Sequence, residues 1–429
     1  MNQTAISSEK PSYLRQLIII CALFFVFGFV TWLNGTLIPF LQIACDLTEK
    51  QALFVTFAFY MAYFFLSIPS SAILNKTGFK NGMALGLFVM ALGSLIFIPA
   101  AQNRTFGLFL TGLFVQGAGL SLLQTASNPY AAIIGPMESA AQRISIMGIC
   151  NKIAGAISPL ILSAIVLKNA TAIEDKIKSA VSATEKLNLL DALASKVILP
   201  YAVMAVVLVI LAILIKNSDL PEINANQEEL ELGTASVKKS SVFAHPHLIL
   251  GAICLFLYVG VEVMAGDVIG NYGRAMGMSL DKTKYFTTFT LISMLLGYII
   301  GIFTIPKYFN QQTSLKLAAI LGLIFTLGAY FTQGYTSVTF IALLGLANAP
   351  MWPAIFPLAI NKLGKFTKIG SALLVMGIAG GAILPQIYGY LKSELHLANN
   401  TAFLFCMLPS YVYIFYYAVS GYRVGLKAN

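Results

Sequence analysis

Residues 17–41 read LIIICALFFVFGFVTWLNGTLIPFL, without one Asp, Glu, Lys or Arg. A helix rises about 1.5 Å per residue, so about 20 apolar residues cross a hydrocarbon core of about 30 Å. This run is long enough to do so. It is too long for the apolar core of a secretory leader, about 7–15 residues, and has no clear small-residue cleavage site. It is therefore expected to stay in the membrane. Working outward, comparable stretches recur at 53–74, 83–101, 106–134, 144–166 and 197–215, then at 248–272, 286–305, 317–333, 338–360, 370–391 and 402–422. The expectation is an all-α integral membrane protein with twelve transmembrane helices.

Composition agrees. Hydrophobic residues make up 58% of the chain and charged residues 10%, against roughly 25% charged in soluble domains. Such a chain needs a lipid bilayer as part of its solvent. The net charge of +10 does not point to nucleic acid, because the Lys and Arg residues are spread over short loops and form no basic face. Cys21, Cys45, Cys150, Cys254 and Cys406 are scattered, without the paired spacing of a metal site or disulfide framework. They read as small apolar fillers.

Residues 216–246 are polar, with Glu228, Glu229, Glu231, Lys238 and Lys239 and few large apolar side chains. They divide the spans into six and six. The expected organisation is an N-terminal six-helix bundle over 1–216, a cytoplasmic linker over 217–246 and a C-terminal six-helix bundle over 247–429. Residues 168–196 are charged but keep Ile, Val and Leu at helical spacing, which predicts short amphipathic helices outside the membrane. With that segment set aside, Lys and Arg concentrate on the side holding both termini, which places the termini in the cytoplasm. The halves echo one another: Gly155-Ala156-Ile157-Ser158-Pro159 returns as Gly381-Ala382-Ile383-Leu384-Pro385, and Leu85-Gly86-Leu87 as Leu321-Gly322-Leu323.

Of 27 Lys and Arg and 17 Asp and Glu residues, only Lys152, Glu262 and Asp267 fall inside the spans. A charge there costs from a few to above roughly ten kcal/mol, so it needs a partner, a proton or a wet cavity. Counted from Arg143, Lys152 lies roughly 13 Å deep; counted from His247, Glu262 lies roughly 22 Å deep. The difference argues against a direct ion pair unless the helices tilt. Lys152 reads as a cavity-lining donor or a fixed positive charge, or else as a structural partner for a carboxylate or helix-end carbonyls. Glu262 reads as a ligand for hydroxyl groups or a cation, or else as an interhelical structural Glu. Asp267 reads as interfacial.

Amides form a second set. Gln124 and Asn128 are four residues apart on one helix face, followed by Pro129, which frees a backbone carbonyl. Gln124 sits about 16 Å deep, near the level of Lys152. Asn34, Asn151, Asn271 and Asn348 lie in or at the ends of other spans, and Gln116 precedes Gln124 in its own. An amide both donates and accepts, as a sugar hydroxyl does, but amides also hold transmembrane helices together. Trp32 and Trp352 lie inside spans, where an indole can stack on a sugar ring or simply pack. An enzyme is not indicated, because His245, His247 and His396 lie near loops and no paired carboxylates or nucleophile with a base cluster in the spans.

Several of these segments resemble the bacterial fucose permease and its glucose/galactose transporter relatives, a sugar:cation symporter branch of the major facilitator superfamily. They are Gly28-Phe29, Asn34-Gly35-Thr36-Leu37, the run Gly119 to Tyr130, Tyr258-Val259-Gly260, and Trp352-Pro353-Ala354-Ile355-Phe356-Pro357-Leu358-Ala359-Ile360 with the Lys-rich loop that follows. The resemblance implies a multi-pass protein of the bacterial-type cytoplasmic (inner) membrane with a monosaccharide site between the bundles. Its expected function is secondary active import of a hexose of the glucose/galactose type with Na⁺ or H⁺ by alternating access, without other cofactor and as a monomer. A fucose or amino-sugar carrier, or an uncoupled uniporter, is the alternative; a drug or metabolite exporter of the same fold is a more distant one. Expected substrate contacts are Asn34, Gln124, Asn128, Asn151, Asn271, Asn348 and Trp352, with Glu262 and Lys152 for coupling or charge compensation. Two departures bear on coupling: Gly35 stands where the permease pattern has an aspartate, and Gln124 where it has a glutamate. Lys152 is a third, since the permease has a small neutral residue after the asparagine.

Overall fold

The computed structural model describes residues 10–133, 140–218, 220, 241–304, 308, 310–363 and 366–426. Most of the expected linker, residues 219 and 221–240, falls outside the described residues, as does the side chain of Asn128. Among the described residues the structure is helical, and twelve helical stretches are long and apolar enough to cross a membrane. They are α1 (Arg15–Ala44), α2 (Glu49–Leu74), α3 (Lys76–Gln102), α4 (Phe106–Ser127), α5 (Ile146–Val166), α6 (Ala183–Lys216), α7 (Pro246–Gly266), α8 (Leu280–Thr304), α9 (Gln311–Phe331), α10 (Gly334–Ile360), α11 (Ile369–Ser393) and α12 (Asn399–Val419). Six precede the polar stretch and six follow it. With twelve spans among the described residues, the start of α1 and the end of α12 lie on one face, and the opposite face is the distal one.

Helix is the natural answer here, because hydrocarbon offers no hydrogen bonds and each backbone group must be satisfied within its own segment. Outward faces stay apolar: Leu199, Val203, Val206, Ile210, Ile213 and Leu214 leave α6 greasy on its exposed side. Turns carry the expected chemistry. Thr48 opens α2 with a capping box, its side chain accepting from Gln51 N–H while Gln51 accepts from Thr48 N–H at 2.9 Å. Gly78 turns α2 into α3 at φ 76°, a conformation that favours glycine. The charged segment 168–196 forms a helix before α6, Ala170–Lys178, and the opening helix of α6 itself, Ala183–Ser195, ahead of its apolar part Ile198–Lys216.

Helix is interrupted within α1 and α10 and just past the end of α7, besides interruptions in other spans. In α1, helix ends at Thr31 and resumes at Asn34. After α7, Asp267 and Val268 interrupt the helix before Ile269–Ala275 continues it. In α10, helix stops at Asn348 and restarts at Met351, where Pro350 offers no N–H to continue the ladder. Leu33, Asp267, Val268, Ala349 and Pro350 keep right-handed helical dihedrals, so these interruptions are kinks rather than unwound backbone. The two bundles meet along α2 with α11 and α5 with α8. There Thr288 donates to the Ala156 carbonyl at 3.1 Å, and the Tyr60 ring lies against Gly381.

Candidate functional site

Beside the break in α1, Trp32, Lys152 and Glu262 come together. Lys152 Nζ on α5 lies 3.0 Å from Glu262 Oε1 on α7, and 4.6 Å from the centre of the Trp32 ring. The ion pair therefore crosses from one bundle to the other. The depth count, which argued against it, treated both helices as straight and took their starting loops as one plane. A four-carbon Lys stem and helix tilts of about 20° cover that difference. Trp32 is wedged between two glycines on opposite bundles. A Cβ added at Gly155 would come within 2.4 Å of its ring, and one at Gly266 within 2.3 Å.

Asp267 is not interfacial. It is 0% exposed, because the chain continues past it as a further helical stretch that carries it inside. Its Oδ2 accepts from Tyr60 on α2 at 3.1 Å, and its Oδ1 has no hydrogen-bond partner. The Gly35 backbone amide, at the restart of α1, lies close by. Tyr60, Tyr258, Tyr298 and Tyr411 all lie within electrostatic range of Glu262.

The amides divide. Asn34 is 1% exposed, and neither atom of its amide has a partner. Asn348 accepts from Tyr411 at 2.8 Å, leaving its Nδ2 unpartnered. Gln124 donates to Tyr63 at 2.9 Å and is half-buried. Asn151 donates to the Phe24 carbonyl on α1 at 3.4 Å, a helix-to-helix tie. Gln116 donates to Ser94 at 2.8 Å, a tie between α4 and α3. Asn271 stands apart from this cluster: it lines a polar cavity of about 200 Å³ toward the distal face with Gln42, Glu49 and Arg274. Trp352 stacks on Phe356 at 5.9 Å and tilts against Tyr258 at 6.5 Å.

Sequence reasoning missed Tyr60, Tyr63 and Tyr411 as partners of these polar groups. Tyr60 and Tyr63, three apart in α2, share a helix face, and that was the signal available. It also missed how the distal face is closed. Glu49 and Lys50, at the start of α2, pair with Lys392 and Glu394, at the end of α11, each at 2.6 Å. On the other side, Glu174 pairs with Arg274 at 2.8 Å, and Asp281 accepts from Thr171 N–H.

The sequence pattern of the Major Facilitator Superfamily matches residues 20–389. The chain belongs to that superfamily. Over 418 residues it is 32% identical to a glucose/galactose transporter of Brucella abortus biovar 1 (strain 9-941), covering 97% of this chain and 96% of that one. It is 28% identical over 389 residues to the L-fucose-proton symporter of Escherichia coli (strain K12), covering 90% and 89%. Among solved structures it is similar to a major facilitator superfamily transporter, FucP, in the outward conformation. There the TM-score is 0.72 and the identity 26%, over 97% of this chain and 100% of that one. The family consists of transporters, so this chain is a multi-pass membrane transporter and not an enzyme.

Proposed function

We propose that this major facilitator protein imports a hexose of the glucose/galactose type, together with Na⁺ or H⁺, by alternating access. It would do so as a monomer in a bacterial-type cytoplasmic membrane with both termini in the cytoplasm, which makes the distal face extracytoplasmic. One observation carries the reading: amide atoms of Asn34 and Asn348 lie buried and unpartnered in the two bundles. A buried unmet polar group costs about 1–3 kcal/mol, and a neutral polyol that donates and accepts recovers it. The indoles of Trp32 and Trp352 supply flat apolar faces for the C–H side of a sugar ring. The names of the relatives support the same substrate class. Fucose and amino sugars share this chemistry; an apolar drug does not.

In this structure the distal gate is closed by the α2–α11 ion pairs. Import then requires these pairs to part, the sugar to enter, and the bundles to rock about the central cluster. A second reading, an uncoupled uniporter, is favoured by the Lys152–Glu262 pair, since a tethered ammonium already neutralises that carboxylate. Counterflow in proteoliposomes tests both. Labelled glucose should exchange with unlabelled glucose or galactose, and accumulation should follow a Na⁺ or pH gradient. Exchange without gradient-driven accumulation would select the uniporter, and no exchange with any monosaccharide would sink the sugar reading.

A further inference from the structure

Once Lys152 and Glu262 satisfy each other, one intramembrane carboxyl is left over. Asp267 is fully buried, receives one side-chain hydrogen bond, from Tyr60 at 3.1 Å, and has the Gly35 backbone amide close by, while its Oδ1 has no side-chain partner. Among the described residues, no ion pair includes it. The groups that face it are Tyr60 from α2, Glu262 from its own helix, the Gly35 backbone amide from α1 and Lys152 from α5. The ammonium of Lys152 is committed to Glu262 at 3.0 Å, so these two charges largely cancel at Asp267. An unpaired carboxylate in such a place costs several kcal/mol, and taking up a proton removes that cost. One phenolic oxygen beside the carboxyl is too few for a hard metal cation, which collects about six oxygens.

We propose that Asp267 is the proton-binding group of the transport cycle, and that Lys152 and Glu262 form a fixed neutral pair beside it. This rests on the reading of the chain as a coupled importer and names its ion and the residue that carries it. With the distal face open, an O–H bond forms on Asp267 with a proton from water. Tyr60 belongs to the first bundle and Asp267 to the second, so their hydrogen bond forms as the halves close over the carboxyl. With the opposite face open, the O–H bond breaks and the proton leaves to cytoplasmic water. One proton and one neutral sugar cross per cycle.

Two measurements on the purified full chain test this. Infrared spectroscopy without sugar should show the carbonyl stretch of a protonated carboxylic acid at neutral pH, and Asp267→Asn should abolish that band. In proteoliposomes, Asp267→Asn should keep sugar exchange while accumulation driven by a pH gradient falls at least about tenfold, the loss of ion–sugar coupling. Tyr60→Phe removes a donor to the ionised form, so its pH profile for accumulation should move to higher pH. A purely structural Tyr60 would leave that profile in place. An acid band that persists in Asp267→Asn, or wild-type-like accumulation by that variant, overturns the proposal. So does accumulation that follows Na⁺ and ignores pH. If no monosaccharide exchanges, the substrate reading fails while the infrared band still decides Asp267.

Discussion

A lysine and a glutamate meeting inside a membrane are expensive apart and tolerable together. Removing either partner leaves a buried, uncompensated charge, at a cost of about 3–5 kcal/mol. Lys152→Gln and Glu262→Gln should therefore each lower the unfolding temperature in detergent, while the double variant should recover much of the loss. A double-mutant cycle on thermal unfolding checks this; additive losses would show that the two side chains do not couple. The charges were legible in the sequence because ionisable residues in spans are rare. Their pairing was not, because depth counted along straight helices cannot register tilt or the reach of two long side chains. Asp267 was misplaced for a related reason: counted along a straight span over 248–272 it falls near the outer end, and no such count shows that Tyr60 of the other bundle covers it. Asn34 and Asn348 were legible as buried amides. Asn151 and Gln116 each make a hydrogen bond to a neighbouring helix, the other use that intramembrane amides have.

At the scale of elements, length and apolarity located all twelve spans, since a continuous apolar run of about 20 residues satisfies its backbone in lipid as a helix. The breaks were harder to foresee. Pro350 announces the one in α10, but Trp32-Leu33 in α1 has no such marker. There the packing explains what local sequence does not: the indole needs the space that Gly155 and Gly266 leave open. Gly155→Ala or Gly266→Ala should force Trp32 to move and cost about 1–3 kcal/mol by overpacking. Trp32 and Trp352 are the two tryptophans of the chain, so a Trp352→Phe background isolates the Trp32 emission. Either glycine variant should shift that emission, and an unchanged spectrum would mean that the wedge is looser than its geometry implies.

For the molecule as a whole, the distal closure is the feature on which access turns. Glu49 with Lys392 and Lys50 with Glu394 join the bundles in reciprocal charge order. Glu49→Lys sets two ammonium groups against each other. In a cysteine-free background carrying Asn271→Cys, labelling by a membrane-impermeant maleimide should rise about two- to fivefold, the range of partly exposed pairs. Adding Lys392→Glu should bring it back. The Lys50 ammonium holds the Glu394 carboxyl below its usual range. A depressed carboxyl keeps its contribution above its ordinary titration range and loses it as pH falls through the lowered value. The closure should thus be unaffected at neutral pH and loosen only in acid, with labelling rising there.

The Lys152–Glu262 pair also has an electrical consequence. Its charges sum to zero and both belong to the protein, so neither contributes net charge to what is carried across. If Asp267 carries the proton, each sugar moves with a single elementary charge, and the resting voltage adds to the chemical gradient. At 100 mV that is worth about 2.3 kcal/mol per charge, enough by itself to concentrate a neutral solute about 50-fold.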